Sequence, residues 1–186
     1  MLAGMLKLFL FIVISCCLWY VSRASVRVVG SHGFYRFFAW EAITTLILLN
    51  IDMWFFHPLS FLQIISWIFL ILSLVLLWNG FNTIRSIGKP NEQRQDNTLL
   101  TLEKTSVLVS SGIYKYIRHP LYSSLLFLAW GVFLKDLTWP SVCFMTGATG
   151  CLVLTAKADE AECIRYFGSS YEDYMSHTKM FIPFIC

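Results

Sequence analysis

Apolar residues fall into five blocks along the chain: Met5–Tyr20, Phe37–Phe56, Phe61–Trp78, Leu121–Leu134 and Trp139 to about Ala156. Crossing a hydrocarbon layer of ~30 Å takes about 20 mostly apolar residues, and backbone polar groups inside it must bond within the segment, so each block predicts a membrane helix. The breaks between blocks have turn chemistry. His57-Pro58-Leu59-Ser60 ends the second block, Asn79-Gly80 closes the third as a helix C-terminus does, and Lys135-Asp136-Leu137-Thr138 joins the last two into a helical hairpin. One long polar segment, from about Asn82 to Lys115, separates the third block from the fourth. Beyond the fifth, the helix is expected to run through Tyr166 and stop at Gly168. Ser170-Tyr171-Glu172-Asp173 then resembles a capping box opening a short interfacial helix, anchored by Met180-Phe181-Ile182-Pro183-Phe184-Ile185. The predicted fold is an all-α membrane protein of about five transmembrane helices, with a hairpin of spans four and five and a short cytoplasmic C-terminal helix, in one membrane-embedded domain over residues 1–186.

Composition agrees: 57% of the 186 residues are hydrophobic, 13% are charged and the mean hydropathy is +0.65, which leaves no room for a separate soluble domain. The net charge of +3 informs only through its distribution. Arg23, Arg27 and Arg36 follow span one. Arg85, Lys89, Arg94, Lys104, Lys115 and Arg118 follow span three, and Lys157, Arg165 and Lys179 follow span five. With five spans all three groups share a side, which the positive-inside rule makes cytoplasmic, with the N-terminus outside. No basic run is interleaved with stacking aromatics, so nucleic acid is not an expected partner. The six cysteines form no C-x-x-C pair and no zinc spacing; no metal is expected, and most are read as apolar packers within helices. Val13-Ile14-Ser15-Cys16 looks like a lipoprotein cleavage box, but an uncleaved first span is the reading taken. Cys186 does not occupy the prenylated position of a C-a-a-X box.

Two clusters carry chemistry. Gly112 to Tyr122 holds Lys115, Arg118, His119 and three tyrosines, and Pro120 sits where the first helical residue of span four belongs, because its missing N–H has no role there. The backbone N–H groups of Leu121, Tyr122 and Ser123 are then expected to face the interface as an anion site reinforced by Arg118 and His119. Lys157-Ala158-Asp159-Glu160-Ala161-Glu162 places three carboxylates at the end of span five, where they oppose the helix dipole and require cationic partners. The hairpin brings both clusters to one membrane face, so a joint site is expected. The intramembrane polar residues Glu41, Asn50 and Asp52 are further candidates.

Leu108-Val109-Ser110-Ser111-Gly112-Ile113-Tyr114, Arg118-His119-Pro120-Leu121-Tyr122, Asp159-Glu160, Phe167-Gly168-Ser169-Ser170-Tyr171-Glu172-Asp173-Tyr174 and Ile182-Pro183, in that order, resemble the isoprenylcysteine carboxyl methyltransferase family, whose wider group includes phospholipid N-methyltransferases. The resemblance implies S-adenosylmethionine held on the cytoplasmic side by residues 82–186, the cofactor-binding and catalytic half. It assigns Ser106, Val107, Leu108, Val109 and Tyr114 to the cofactor lining and His119, Pro120, Leu121 and Tyr122 to the span-four grip. Asp159 or Glu160 is assigned to the amino group or ribose. Arg118 and Glu160 become the candidate catalytic residues, and a lipid-soluble acceptor, such as a prenylcysteine-type carboxylate, the expected partner. Two positions depart from the pattern. Thr155 stands where enzymes of this family acting on prenylcysteine have an arginine, which leaves Lys157 as the nearest candidate substrate contact, and Ser106 replaces a frequent histidine. Two alternatives remain: an NADPH-dependent reductase of the sterol-reductase type, which ends in a similar acidic and Tyr-Gly segment, and a non-enzymatic membrane scaffold keeping the fold.

Overall fold

The computed structural model describes residues 2–88 and 105–183, so Lys89, Arg94, Lys104, Phe184, Ile185 and Cys186 lie outside the described residues. Among the described residues 78% are helical and none lies in a strand, so the molecule is all-α. Six helices follow in order: α1 Leu2–Val26, α2 His32–Asn50, α3 Phe61–Ile87, α4 Pro120–Phe133, α5 Trp139–Phe167 and α6 Ser169–His177. Four of them, α1, α2, α3 and α5, are long and apolar enough to cross a membrane. Helix α4 has 14 residues, about 21 Å at 1.5 Å per residue, and falls short of the hydrocarbon thickness by itself.

Several helix ends differ from the sequence reading, each for a local reason. Helix α3 does not stop at Asn79-Gly80 but runs to Ile87. Gly80 is instead an interior contact, because a Cβ there would meet Leu121 Cδ2 at 3.0 Å and Pro120 Cγ at 3.3 Å. Helix α2 begins at His32, five residues ahead of Phe37, because the Ser31 hydroxyl caps it by accepting from the Phe34 N–H at 3.2 Å. Helix α5 ends at Gly168 as expected, with φ +61, a backbone conformation open to glycine. Helix α6 forms where the capping box was read, but Gly168 is its N-cap and no side chain caps it. Cys16, Cys17 and Cys143 are exposed and not packed inside. A helix surface facing lipid is as apolar as a core, so hydrophobicity alone does not tell one from the other.

The core is a seam between α2 and α5, with α4 closing it and α3 packed on the far side of α4. Ala39, Ile43 and Leu46 of α2 pack with Met145, Ala148, Leu152 and Ala156 of α5 at three- and four-residue spacing, all nearly or fully buried. Small residues allow this close approach, and interhelical hydrogen bonds lock it. Asn50 donates to the Val132 carbonyl at 2.9 Å and accepts from the Ser141 hydroxyl at 3.0 Å, while the Ser66 hydroxyl donates to the Gly131 carbonyl at 2.6 Å. Asn50 is therefore a clamp across three helices. Glu41 accepts from Ser15 at 2.7 Å and ties α1 to α2, while Asp52, in the 3-10 turn over Ile51–Met53 after α2, pairs with Lys7 of α1 at 2.6 Å.

Candidate functional site

The stretch before α4 turns sharply because of Gly112, whose φ of +60 lets the backbone pass Thr83 of α3, with room for a Cβ only 3.0 Å from Thr83 Oγ1. A single 3-10 turn over Gly112–Lys115 follows. Pro120 then opens α4, with His119 as the N-cap. The expected set of free N–H groups at this helix start is smaller by one: the Ser123 N–H bonds the His119 carbonyl at 2.8 Å. Ser123 is a buried connector, its hydroxyl 2.8 Å from the Phe181 carbonyl.

The C-terminal tail is clipped beside this segment. Arg118 N–H donates to Lys179 O at 2.8 Å, His119 N–H to Met180 O at 3.2 Å, and Lys179 N–H to Tyr116 O at 3.1 Å, an isolated parallel bridge. The Tyr174 hydroxyl of α6 donates to the Tyr114 carbonyl at 2.6 Å. The guanidinium of Arg118 adds Nη1 donation to the carbonyls of Thr178 and Met175. The tail is thus folded back, as its sequence punctuation suggested.

Each carboxylate at the end of α5 meets a cationic or ionisable partner from another element. Arg118 Nε lies 2.7 Å from Glu160 Oε1, with both side chains only 10% exposed. His119 is bracketed, Nδ1 at 3.5 Å from Asp159 and Nε2 at 3.4 Å from Glu160. Glu162 accepts from the buried His32 at the start of α2, at 2.7 Å from Nδ1 and 3.2 Å from the backbone N–H. Burial works against the His119 imidazolium, but the carboxylates of Asp159 and Glu160 outweigh it and hold the pKa above the usual histidine value. Helix α5 has 29 residues, about 43 Å, so its last turns extend past the hydrocarbon layer, where charged groups are tolerated.

Between these elements lies a narrow pocket of about 110 Å³, lined by Leu108, Val109, Tyr114, Arg118, His119, Pro120, Leu121, Tyr122 and Asp159, together with Ile84, Thr105, Cys163, Phe167, Tyr171 and Tyr174. Nine lining residues are ones that the sequence singled out. Ser106 and Val107 do not line it; Ser106 N–H is bound to the Gly88 carbonyl at 3.2 Å and Val107 is exposed. Glu160 stands behind Arg118, outside the lining, and Lys157 is exposed on the outer face of α5. The aromatic wall of Phe167, Tyr171 and Tyr174 was not singled out as part of the site. Phe167 is the last residue of α5 and stacks on Tyr171, while Tyr171 and Tyr174 lie three apart on one face of α6. Tyr171 is 3% exposed, and burial raises its pKa above the ordinary tyrosine value. A shallower depression of about 860 Å³ opens at the opposite end of the helices, lined by one aromatic side chain, Phe56, where the narrow pocket has five beside Arg118, His119 and Asp159.

The fold and the pocket define a multi-pass helical membrane protein with an ion-paired, aromatic-walled site at one end of its helices. No family model, no curated protein and no solved structure matches the chain.

Proposed function

We propose that the protein is an S-adenosylmethionine-dependent methyltransferase acting on a lipid-soluble acceptor, a member of the integral membrane group that its motifs resemble. The observation that carries this reading is the convergence of Arg118, His119 and Asp159 with five aromatic side chains in one pocket. An amino-acid-bearing sulfonium needs a cation for its carboxylate, an anion for its ammonium and aromatic surface for its ring and sulfonium, and the donor set supplies all three. Arg118 would take the carboxylate, Asp159 the ammonium, and Tyr114, Tyr122, Phe167 and Tyr171 the apolar parts. The Tyr171 hydroxyl, in the same lining, offers one further bond. A molecule of this size needs more room than about 110 Å³, so binding entails a shift of these aromatic side chains.

When bound, the cofactor supplies an electrophilic methyl group on sulfur. The chain's contribution is position and exclusion of water. Glu160 fixes the Arg118 guanidinium, and the clipped tail covers the pocket with α6. For an amine acceptor, His119 is the pocket group able to hold a proton, since Glu160 is committed to Arg118. Lys157 is too exposed to act within this pocket, so an acceptor contact there belongs to its rim.

The orientation belongs to the same reading. Arg23, Arg27, Arg36, Arg85, Lys115, Arg118, Lys157, Arg165 and Lys179 lie at the pocket end of the helices, while Lys7 and Lys135 lie at the other. The positive-inside rule makes the pocket end cytoplasmic, with α4 counted as a fifth crossing, completed by its flanking residues, and paired with α5 as a hairpin. Incubating the purified protein with methyl-labelled cofactor and extracted membrane lipids tests the function: label is expected in an organic-soluble product, and its absence across carboxylate, amine and thiol acceptors would remove the reading.

A further inference from the structure

The depression at the opposite end is formed by the turn after α2 and the connection between α4 and α5, and is lined by Phe56, His57, Leu59, Ser60, Gln63, Lys135, Asp136 and neighbouring leucines. Lys135 is 6% exposed. Its ammonium donates to Gln63 Oε1 at 2.9 Å, lies 3.5 Å from the Trp54 carbonyl and sits 3.7 Å from the centre of the Trp67 ring. All three partners are neutral, and no carboxylate forms an ion pair with it among the described residues. Burial lowers its pKa and no acidic group opposes that shift. A buried cation with neutral partners retains a positive potential directed at whatever occupies the adjoining space.

Asp136 lines the same depression and forms no ion pair among the described residues. Lys135 and Asp136 thus bring a cation and an anion to the depression, beside His57, and do not pair with each other. The surrounding surface is strongly apolar and outward-facing: Leu59 is 86%, Phe61 77% and Phe55 76% exposed. We infer that this depression seats the headgroup of a zwitterionic phospholipid, with the phosphate toward Lys135, the ammonium toward Asp136 and the acyl chains over the exposed face of α3. A volume of about 860 Å³ is in the range of small-molecule sites. The site is separate from the proposed cofactor pocket and does not depend on that function.

Native mass spectrometry of the full chain, released from nanodiscs holding equal amounts of phosphatidylethanolamine and phosphatidylglycerol, tests the assignment. The wild type is expected to retain phosphatidylethanolamine in preference. Lys135→Gln should cut retention of both lipids about tenfold or more, as loss of a charge-assisted contact implies. Asp136→Asn should keep phospholipid but lose the preference. Leu59→Asp, at a position 86% exposed in the lining, places a carboxylate near the phosphate and should also lower retention. Lys7→Gln, a cation at the same end but paired with Asp52, should change nothing. Equal retention of the two lipids by the wild type, unchanged retention in both Lys135→Gln and Leu59→Asp, or displacement of the lipid by free phosphoethanolamine at equal concentration would overturn the inference.

Discussion

At the residue scale the site is held by ion pairs whose partners come from distant parts of the chain. His119 is the sharpest test. Its pKa is raised in the folded protein, so its pairing with Asp159 and Glu160 stabilises fully below the ordinary histidine value near about 6.5 and is lost as pH rises through the folded-state value. Thermal melting in detergent across pH 5–9 should show the wild type losing stability over that window relative to His119→Gln; parallel pH curves for the two proteins would remove the pairing. Glu160→Gln should cost about 1.5–3 kcal/mol, since it strips a charge-assisted partner from the part-buried Arg118. Glu172→Gln, on the exposed face of α6, should leave the melting temperature unchanged. The sequence disclosed that Asp159, Glu160 and Glu162 need partners, because acids at a helix C-terminus oppose its dipole. It did not disclose that Glu162 would meet His32, since 130 residues separate them and only the packing of α2 on α5 brings them together.

At the element scale, glycines show what periodicity could and could not foretell. Gly80 reads as a helix stop, yet it lies within α3 because Leu121 and Pro120 press against it, a tertiary contact that no local rule contains. Gly168 and Pro120 were legible, because their roles depend only on their own backbone geometry. Gly131 marks the seam of α3 and α4: a Cβ there would stand 3.0 Å from Leu70 Cδ2 and Cγ and 3.2 Å from Leu70 N, so backbone as well as side chain would have to give. Gly131→Ala is expected to cost about 1–3 kcal/mol through overpacking. Gly147→Ala, in α5 with nothing within 4 Å, should be neutral or stabilise by about 0.5–1 kcal/mol. Unfolding of the two variants in a denaturing detergent series checks the contrast, and equal effects would mean that the α3–α4 seam is not packed this tightly.

At the scale of the whole molecule, the class was legible in the sequence and the connectivity only partly so. Apolar blocks are unambiguous in membrane proteins, whereas their ends and their lipid-facing sides are not, because inside and outside are equally apolar; the exposed Cys16, Cys17 and Cys143 are the clearest instance. Arg118, His119 and Asp159 were legible for the opposite reason: charged residues beside apolar spans are costly, and few places can hold them, whereas Leu108, Val109 and Tyr114 followed only from the resemblance. The aromatic side of the pocket was less so, because tyrosines and phenylalanines are common throughout this chain. The proposed orientation predicts that a reporter fused after residue 183 is active in the cytoplasm, and activity only on the outer face would contradict it. The most direct test of the central claim is isothermal titration of the purified protein with S-adenosylmethionine and, separately, with NADPH. The account predicts saturable binding of S-adenosylmethionine, weakened about tenfold or more by Asp159→Asn in a protein that still melts cooperatively, and no binding of NADPH. Binding of NADPH in place of S-adenosylmethionine, or no heat from either, would contradict it.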